Sequence, residues 1–158
     1  MRPDRRSAWT THQEDLKANV RELLDRFVAL FNAGQFEEAE RDYAPGGYGE
    51  EIGTNRRFTA QEATANARAW KEAFPDAQGT IENKIVQNNK GAAEIVWRGT
   101  NRGSLMGTPP TNRSVTVRSV VVVESDGSRI TRSAHYIDVA GMMAQLGVSV
   151  GGQTTSAR

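Results

Sequence analysis

After Asp76 the hydrophobic period of this chain changes, and that change constrains the fold more than any other feature of its 158 residues. Before it, Leu16, Val20, Leu23, Leu24, Phe27, Val28 and Phe31 recur at spacings of three and four, one apolar stripe of a helix. After it, the pattern is that of strands. Thr80–Asn88 and Ala92–Arg102 flank a turn at Asn89-Lys90-Gly91, and Ser114–Glu124 is joined to Ile130–Asp138 through Ser125-Asp126-Gly127-Ser128. Helices followed by a run of strands predict an α+β fold, with the helices packed on one face of a strongly curved, mainly antiparallel sheet.

The helix limits are written in capping residues. Thr11 with Glu14 has the capping-box spacing ahead of the first helix, and Gly34 is its expected stop. A short acidic helix, Gln35–Tyr43, follows. Ala44–Arg57 contains Pro45, Gly46, Gly47, Gly49 and Gly53 and reads as loop or irregular strand. Thr59 and Glu62 repeat the capping box before a second long helix, Ala60–Phe74, stopped by Pro75. Asp138 caps a last helix, Val139–Leu146, with Gly147 beyond it. The expected organisation is a disordered N-terminal arm at 1–12, one domain at 13–147 and a flexible tail at 148–158.

Composition removes whole classes of function. With 20 basic and 19 acidic side chains the net charge is +1, so no nucleic-acid partner is expected. No apolar run approaches the roughly 18 residues of a membrane span, so no membrane partner is expected either. Met1–Thr11 has no apolar segment of the secretory kind, which points to the cytoplasm. Cysteine is absent and histidine occurs twice, as His12 and His135, so neither a thiolate nor a histidine metal site is available. No cofactor and no metal are expected.

What remains is pocket chemistry. Helices across the mouth of a curved sheet make a cone whose open end is a concave apolar pocket, suited to an apolar small-molecule ligand or substrate. Along Ser114–Glu124, Val115, Val117, Ser119, Val121 and Val123 share one face, while Thr116, Arg118, Val120 and Val122 share the other. Both faces are apolar near the middle. A strand of that kind is covered on both sides, which predicts a homodimer through the face opposite the pocket.

Several segments come in an order that resembles a known family. Phe31-Asn32-Ala33-Gly34, Ala73-Phe74-Pro75-Asp76, Gly99-Thr100-Asn101-Arg102-Gly103, Met106-Gly107-Thr108-Pro109-Pro110-Thr111 and Gln145-Leu146-Gly147 resemble the SnoaL-like polyketide cyclases, within the nuclear-transport-factor-like α+β barrel superfamily. The resemblance spans roughly Leu16 to Gly147. It implies a cone-shaped barrel, usually dimeric, in which cofactor-free acid/base chemistry closes a ring by aldol condensation in a biosynthetic pathway. The same superfamily holds isomerases, dehydratases, epoxide hydrolases, hydroxylase-like proteins and members without known catalysis, so the resemblance selects a pocket rather than a reaction.

The resemblance also places the candidate site. Counting back from Gln145-Leu146-Gly147, the family's acid/base aspartate falls on His135 and a polar position on Ser133. A family glutamine and histidine fall on Ser119 and Val121, and a further histidine on Asn101. His135 is therefore the expected general base and acid, since an ordinary imidazole titrates near pH 6.5 and can take and return a proton beside a carbonyl. By alternation it shares a face with Ser133 and Ile137. Asn101 is expected either to polarise the carbonyl or to be a plain polar residue at a strand end, and Ser133 to orient the imidazole or bind substrate oxygen. Trp70 and Phe74, four apart on a helix, are expected to roof the ligand, with Tyr43 and Tyr48 touching it from the Gly-rich segment; plain core packing is the alternative for all four. A non-catalytic, ligand-binding dimeric module and a hydroxylase- or hydrolase-like member are the competing functions.

Overall fold

A computed structural model describes residues 5–149. The elements in chain order are α1 (Arg5–Ala33), α2 (Phe36–Arg41), β1 (Tyr43–Glu51), β2 (Arg56–Thr59), α3 (Ala60–Ala73), β3 (Gln78–Gln87), β4 (Lys90–Thr100), β5 (Ser114–Ser125), β6 (Ile130–Ile137) and α4 (Val139–Leu146). The strands form one sheet in the order β2-β1-β6-β5-β4-β3. All neighbours are antiparallel except β1 and β6, which run parallel. This is the expected α+β architecture.

Local chemistry explains most of the boundaries. Thr59 and Glu62 form a reciprocal capping box at α3, and Asp138 Oδ1 accepts from Gly141 N at 2.8 Å to cap α4. Gly34 and Gly147 stop α1 and α4 with φ of 70° and 72°, the left-handed backbone that glycine tolerates. The β3–β4 turn sits one residue earlier than the sequence suggests, at Asn88-Asn89, because Asn88 supplies the positive φ of 53°.

Two expectations change. Helix α1 begins at Arg5, so Thr11 and Glu14 lie inside it and do not mark its start, and residues 5–12 of the expected arm are helical. Nothing between Arg5 and Glu14 breaks a helix, and a capping pattern carries weight only where the chain enters from a non-helical direction. Most of the expected tail, from residue 150 onward, lies outside the described residues, as does the arm before Arg5. The Gly-rich segment becomes strand β1, with its pairing to β6 interrupted between Tyr43 and Tyr48. Similar irregularities fall between Ile81 and Asn83 and between Glu124 and Ser125, and such bulges bend strands.

The core lies between α1 and the concave face of the sheet. Val20, Leu23, Leu24 and Val28 of α1 pack on Ala93, Ile95, Val121, Val123 and Ile130. A second cluster joins Phe74, Val115 and Val117 to Met142, Met143 and Leu146 of α4. The convex face carries ion pairs instead: Arg132 bridges Glu50 and Glu124 across β1, β6 and β5, at 2.8 and 3.3 Å. Among the described residues no helix is long and apolar enough to cross a membrane.

Asn32 fixes where α1 ends against the sheet. Its amide donates to Gly79 O at 2.9 Å and accepts from Gly79 N at 2.7 Å, satisfying both backbone groups at the free edge of β3. Gly79 is required there because an added Cβ would stand 2.5 Å from the Trp97 ring. Asn32→Ala is expected to cost about 1–3 kcal/mol, the range for leaving partly buried backbone groups unpaired, measurable as a lower urea midpoint at unchanged slope.

Candidate active site

Between the helices and the concave face of the sheet lies a cavity of about 530 Å³. Phe27 and Phe31 of α1, Trp70 and Phe74 at the end of α3, Trp97 of β4 and Met142 of α4 close it, and Val117, Ser119 and Val121 of β5 with His135 of β6 line the sheet side. Most of the wall is hydrocarbon. Its face of β5 is the one that alternation selects.

His135 stands opposite Val121 across the β5–β6 ladder and opposite Glu51 across the β6–β1 ladder. Its ring is flanked by Phe27 and Phe58, with centroids 5.5 and 5.7 Å away. Phe58 reaches this position because β1 has Gly49 beneath it; an added Cβ would lie 2.0 Å from the phenyl ring. Nε2 of His135 is 2.9 Å from Ser133 Oγ, which is in turn 2.7 Å from Tyr43 Oη. Ser133 is wholly buried and Tyr43 9% exposed. The three polar groups form a chain leading from the packed interior to the cavity.

Burial pushes the imidazole down from 6.5 to about 4, so it is neutral at physiological pH. The residue keeps intermediate accessible surface because one edge borders the cavity, although protein atoms almost surround it. The surrounding atoms decide its proton affinity, since a small apolar cavity solvates an imidazolium poorly. Among the described residues no carboxylate pairs with the ring. Nδ1 has no protein partner among the described residues, yet no buried side-chain nitrogen or oxygen lacks one, so Nδ1 is open to the cavity. The Tyr43 hydroxyl is pushed up by burial and stays protonated.

Of the site residues expected from sequence, the structure brings His135, Ser133, Tyr43, Trp70, Phe74, Ser119 and Val121 to one region. Trp70 and Phe74 stack at 6.1 Å over the cavity. Ser119 Oγ accepts from Trp97 Nε1 at 2.8 Å, which leaves its own proton for a ligand. Tyr43 is a core residue whose hydroxyl serves Ser133, and Ser133 lies behind His135 rather than on the cavity wall.

Two expected residues are elsewhere. Asn101 is 1% exposed, and its amide is spent on loops: Nδ2 donates to Gly103 O at 2.9 Å and Ala73 O at 3.3 Å, and Oδ1 accepts from Thr111 N and Thr111 Oγ1 at 2.8 and 3.1 Å. It has no spare hydrogen-bonding capacity for a substrate carbonyl and does not line the cavity, so the polarising role expected of it does not hold. Tyr48 faces a shallow groove beside β2, with the Arg57 guanidinium 4.0 Å over its ring. Tyr43 and Tyr48 are five residues apart on β1, an odd spacing that puts them on different faces of the strand.

Sequence reasoning missed Phe27, Phe58 and Glu51 as wall residues. Phe27 was legible only as helix core, and Phe58 only as the apolar residue just before a helix cap. Glu51 lies on a strand too rich in glycine to show alternation. Among the described residues, no three His, Asp or Glu side chains converge as a metal-ligand set.

The site is thus an α+β cone with a partly open, largely apolar cavity and one imidazole on its wall. The chain belongs to the SnoaL-like polyketide cyclase family, whose model matches residues 21–146. No curated protein matches the chain at the sequence level. Among solved structures it is similar to AclR from Streptomyces galilaeus, a proposed hydroxylase, at 17% identity and a TM-score of 0.76 over 87% of this chain and 91% of that one. IdmH from Streptomyces antibioticus, a proposed polyketide cyclase, is similar at 24% identity and a TM-score of 0.72, over 81% and 98%. A protein with a ketosteroid isomerase-like fold from Catenulispora acidiphila gives 15% identity and 0.68, over 81% and 94%. At such identities these likenesses carry the fold alone.

Three measurements follow. The His135 ring should titrate with a midpoint near 4 by NMR, against about 6.5 for a free imidazole. The unfolded chain then binds the extra proton between those values, so stability should fall as pH drops from 6.5 towards 4, and His135→Gln should remove that part of the slope. Asn101→Ala should cost about 2–3 kcal/mol of stability, the range for buried groups losing their partners, without moving the His135 titration.

Proposed function

We propose that this protein is a cofactor-independent enzyme acting on an apolar, ketide-like carbonyl compound, with His135 the protein group that meets the reacting carbonyl. Aldol cyclisation is the named example; isomerisation and dehydration need the same acid/base work at a carbonyl and its neighbouring carbon. The observation that carries this reading is a neutral imidazole in an apolar wall, with one nitrogen held by Ser133 and the other open to a cavity of substrate size. A polar group in so dry a place has a large effect on charge developing at a bound oxygen. Phe27, Trp70, Phe74 and Trp97 supply flat apolar surface for a ring system, and the Ser119 hydroxyl a second polar contact.

The same reading includes a homodimer through the convex face of the sheet. Val120 and Val122 stay only partly covered there, and Tyr136 is 46% exposed. Tyr136→Glu should shift the sedimentation coefficient towards that of a monomer.

The test of function starts from compounds retained through purification and identified by mass spectrometry. His135→Ala should still bind the retained compound within a few-fold of wild type while its turnover falls by about 10²–10⁴, the usual contribution of a positioned acid/base group. Equal turnover in the two proteins would remove His135 from the chemistry.

A further inference from the structure

We propose that Tyr43 and Ser133 set the tautomer of His135, so that the imidazole meets the cavity with an Nδ1–H donor and the substrate atom placed against it is an oxygen acceptor. This rests on the reading that His135 faces a bound carbonyl compound, and it names which half of the acid/base work the resting ring is set up to do.

The argument is one of hydrogen-bond accounting. The Tyr43 hydroxyl is buried, and its one partner among the described residues is Ser133 Oγ, at 2.7 Å. A buried phenol must donate its proton, so Tyr43 Oη–H points at Ser133 Oγ. The serine has two partners, Tyr43 Oη and His135 Nε2. Since it accepts from the first, its own proton goes to the second. Nε2 therefore accepts, and a neutral ring that accepts at Nε2 carries its proton on Nδ1. The opposite direction would have Nε2–H donating to Ser133 and Ser133 donating to Tyr43, leaving the phenolic proton without an acceptor among the described residues.

The orientation has a chemical consequence. Nδ1 is the nitrogen open to the cavity, and as N–H it offers a donor and no lone pair. An atom with a free lone pair fits there, a ketone, ester or quinone oxygen above all, whereas a group that can only donate, such as an ammonium, does not. Because the ring stays neutral, it polarises a carbonyl and holds an enolate oxygen by hydrogen bonding, without a charged imidazolium in an apolar wall. The general-base role expected from the sequence is thus not the role of the resting ring. Tyr43 and Ser133 are positioning residues, acting on the substrate only through His135.

Long-range 1H–15N correlation spectra of 15N-histidine-labelled protein at pH 7 test this on the whole chain without ligand. The two histidines are told apart with His12→Gln, which alters an exposed position on α1. Wild type should show His135 protonated at Nδ1, and a signal pattern for Nε2–H would overturn the proposal. Tyr43→Phe keeps the ring and its packing but removes the proton that starts the chain, so Ser133 can accept from Nε2 and the Nε2–H population should rise. An unchanged tautomer in that variant would deny Tyr43 its part. Both results are independent of turnover: loss of the tautomer leaves the catalytic assignment of His135 standing, and loss of turnover effects in His135→Ala leaves the tautomer standing.

Discussion

A bent sheet has more concave apolar surface than one helix can cover, and the cavity of this protein is the part that α1 leaves. Helix α1 fills the space over β3, β4 and the far half of β5 with Val20, Leu23, Leu24 and Val28. Beyond Phe31 the helix stops at Gly34, and the remaining space is roofed from the side by Trp70 and Phe74. Asn32 sets that geometry by stitching the last turn of α1 to the edge of β3. The pocket therefore follows from where a helix ends, not from any special lining sequence.

Everything polar inside the cone has to answer to that dryness. The imidazole of His135 keeps its neutral form because burial makes charging it costly, and no carboxylate among the described residues forms an ion pair with it. Ser133 and Tyr43 are tolerated in the interior because each satisfies the next. The result is a neutral polar group in a fixed orientation, which suits work on a carbonyl better than work on a strong acid or an ion.

The loops at the wide end show the opposite use of a polar side chain. Asn101 shares its amide among Ala73, Gly103 and Thr111, tying the segment after β4 to the end of α3 and to the run before β5. The Gly-Thr-Asn-Arg-Gly and Met-Gly-Thr-Pro-Pro-Thr segments are thus held together by one buried residue. Gly103 sits so close to the α3 terminus that an added Cβ would lie 2.2 Å from Glu72 O. A motif that looks chemical in the sequence is structural in the fold.

What the sequence determined by itself was periodic or terminal. The α+β order, the caps at Thr59 and Asp138, the stops at Gly34 and Gly147, and the pocket face of β5 all follow from spacing of apolar residues and from local backbone chemistry, which need no knowledge of distant neighbours. The placement of His135 beside Ser133 also follows from alternation along one strand. Tertiary structure alone decided the rest. Nothing local says that Tyr43 closes a chain onto Ser133 ninety positions away, that Phe58 covers Gly49 to reach the imidazole, or that Asn101 turns inward to the loops. Those are contacts between segments, fixed by the bend of the sheet and the packing across it, and a one-dimensional pattern carries no record of which surfaces the chain will bring face to face.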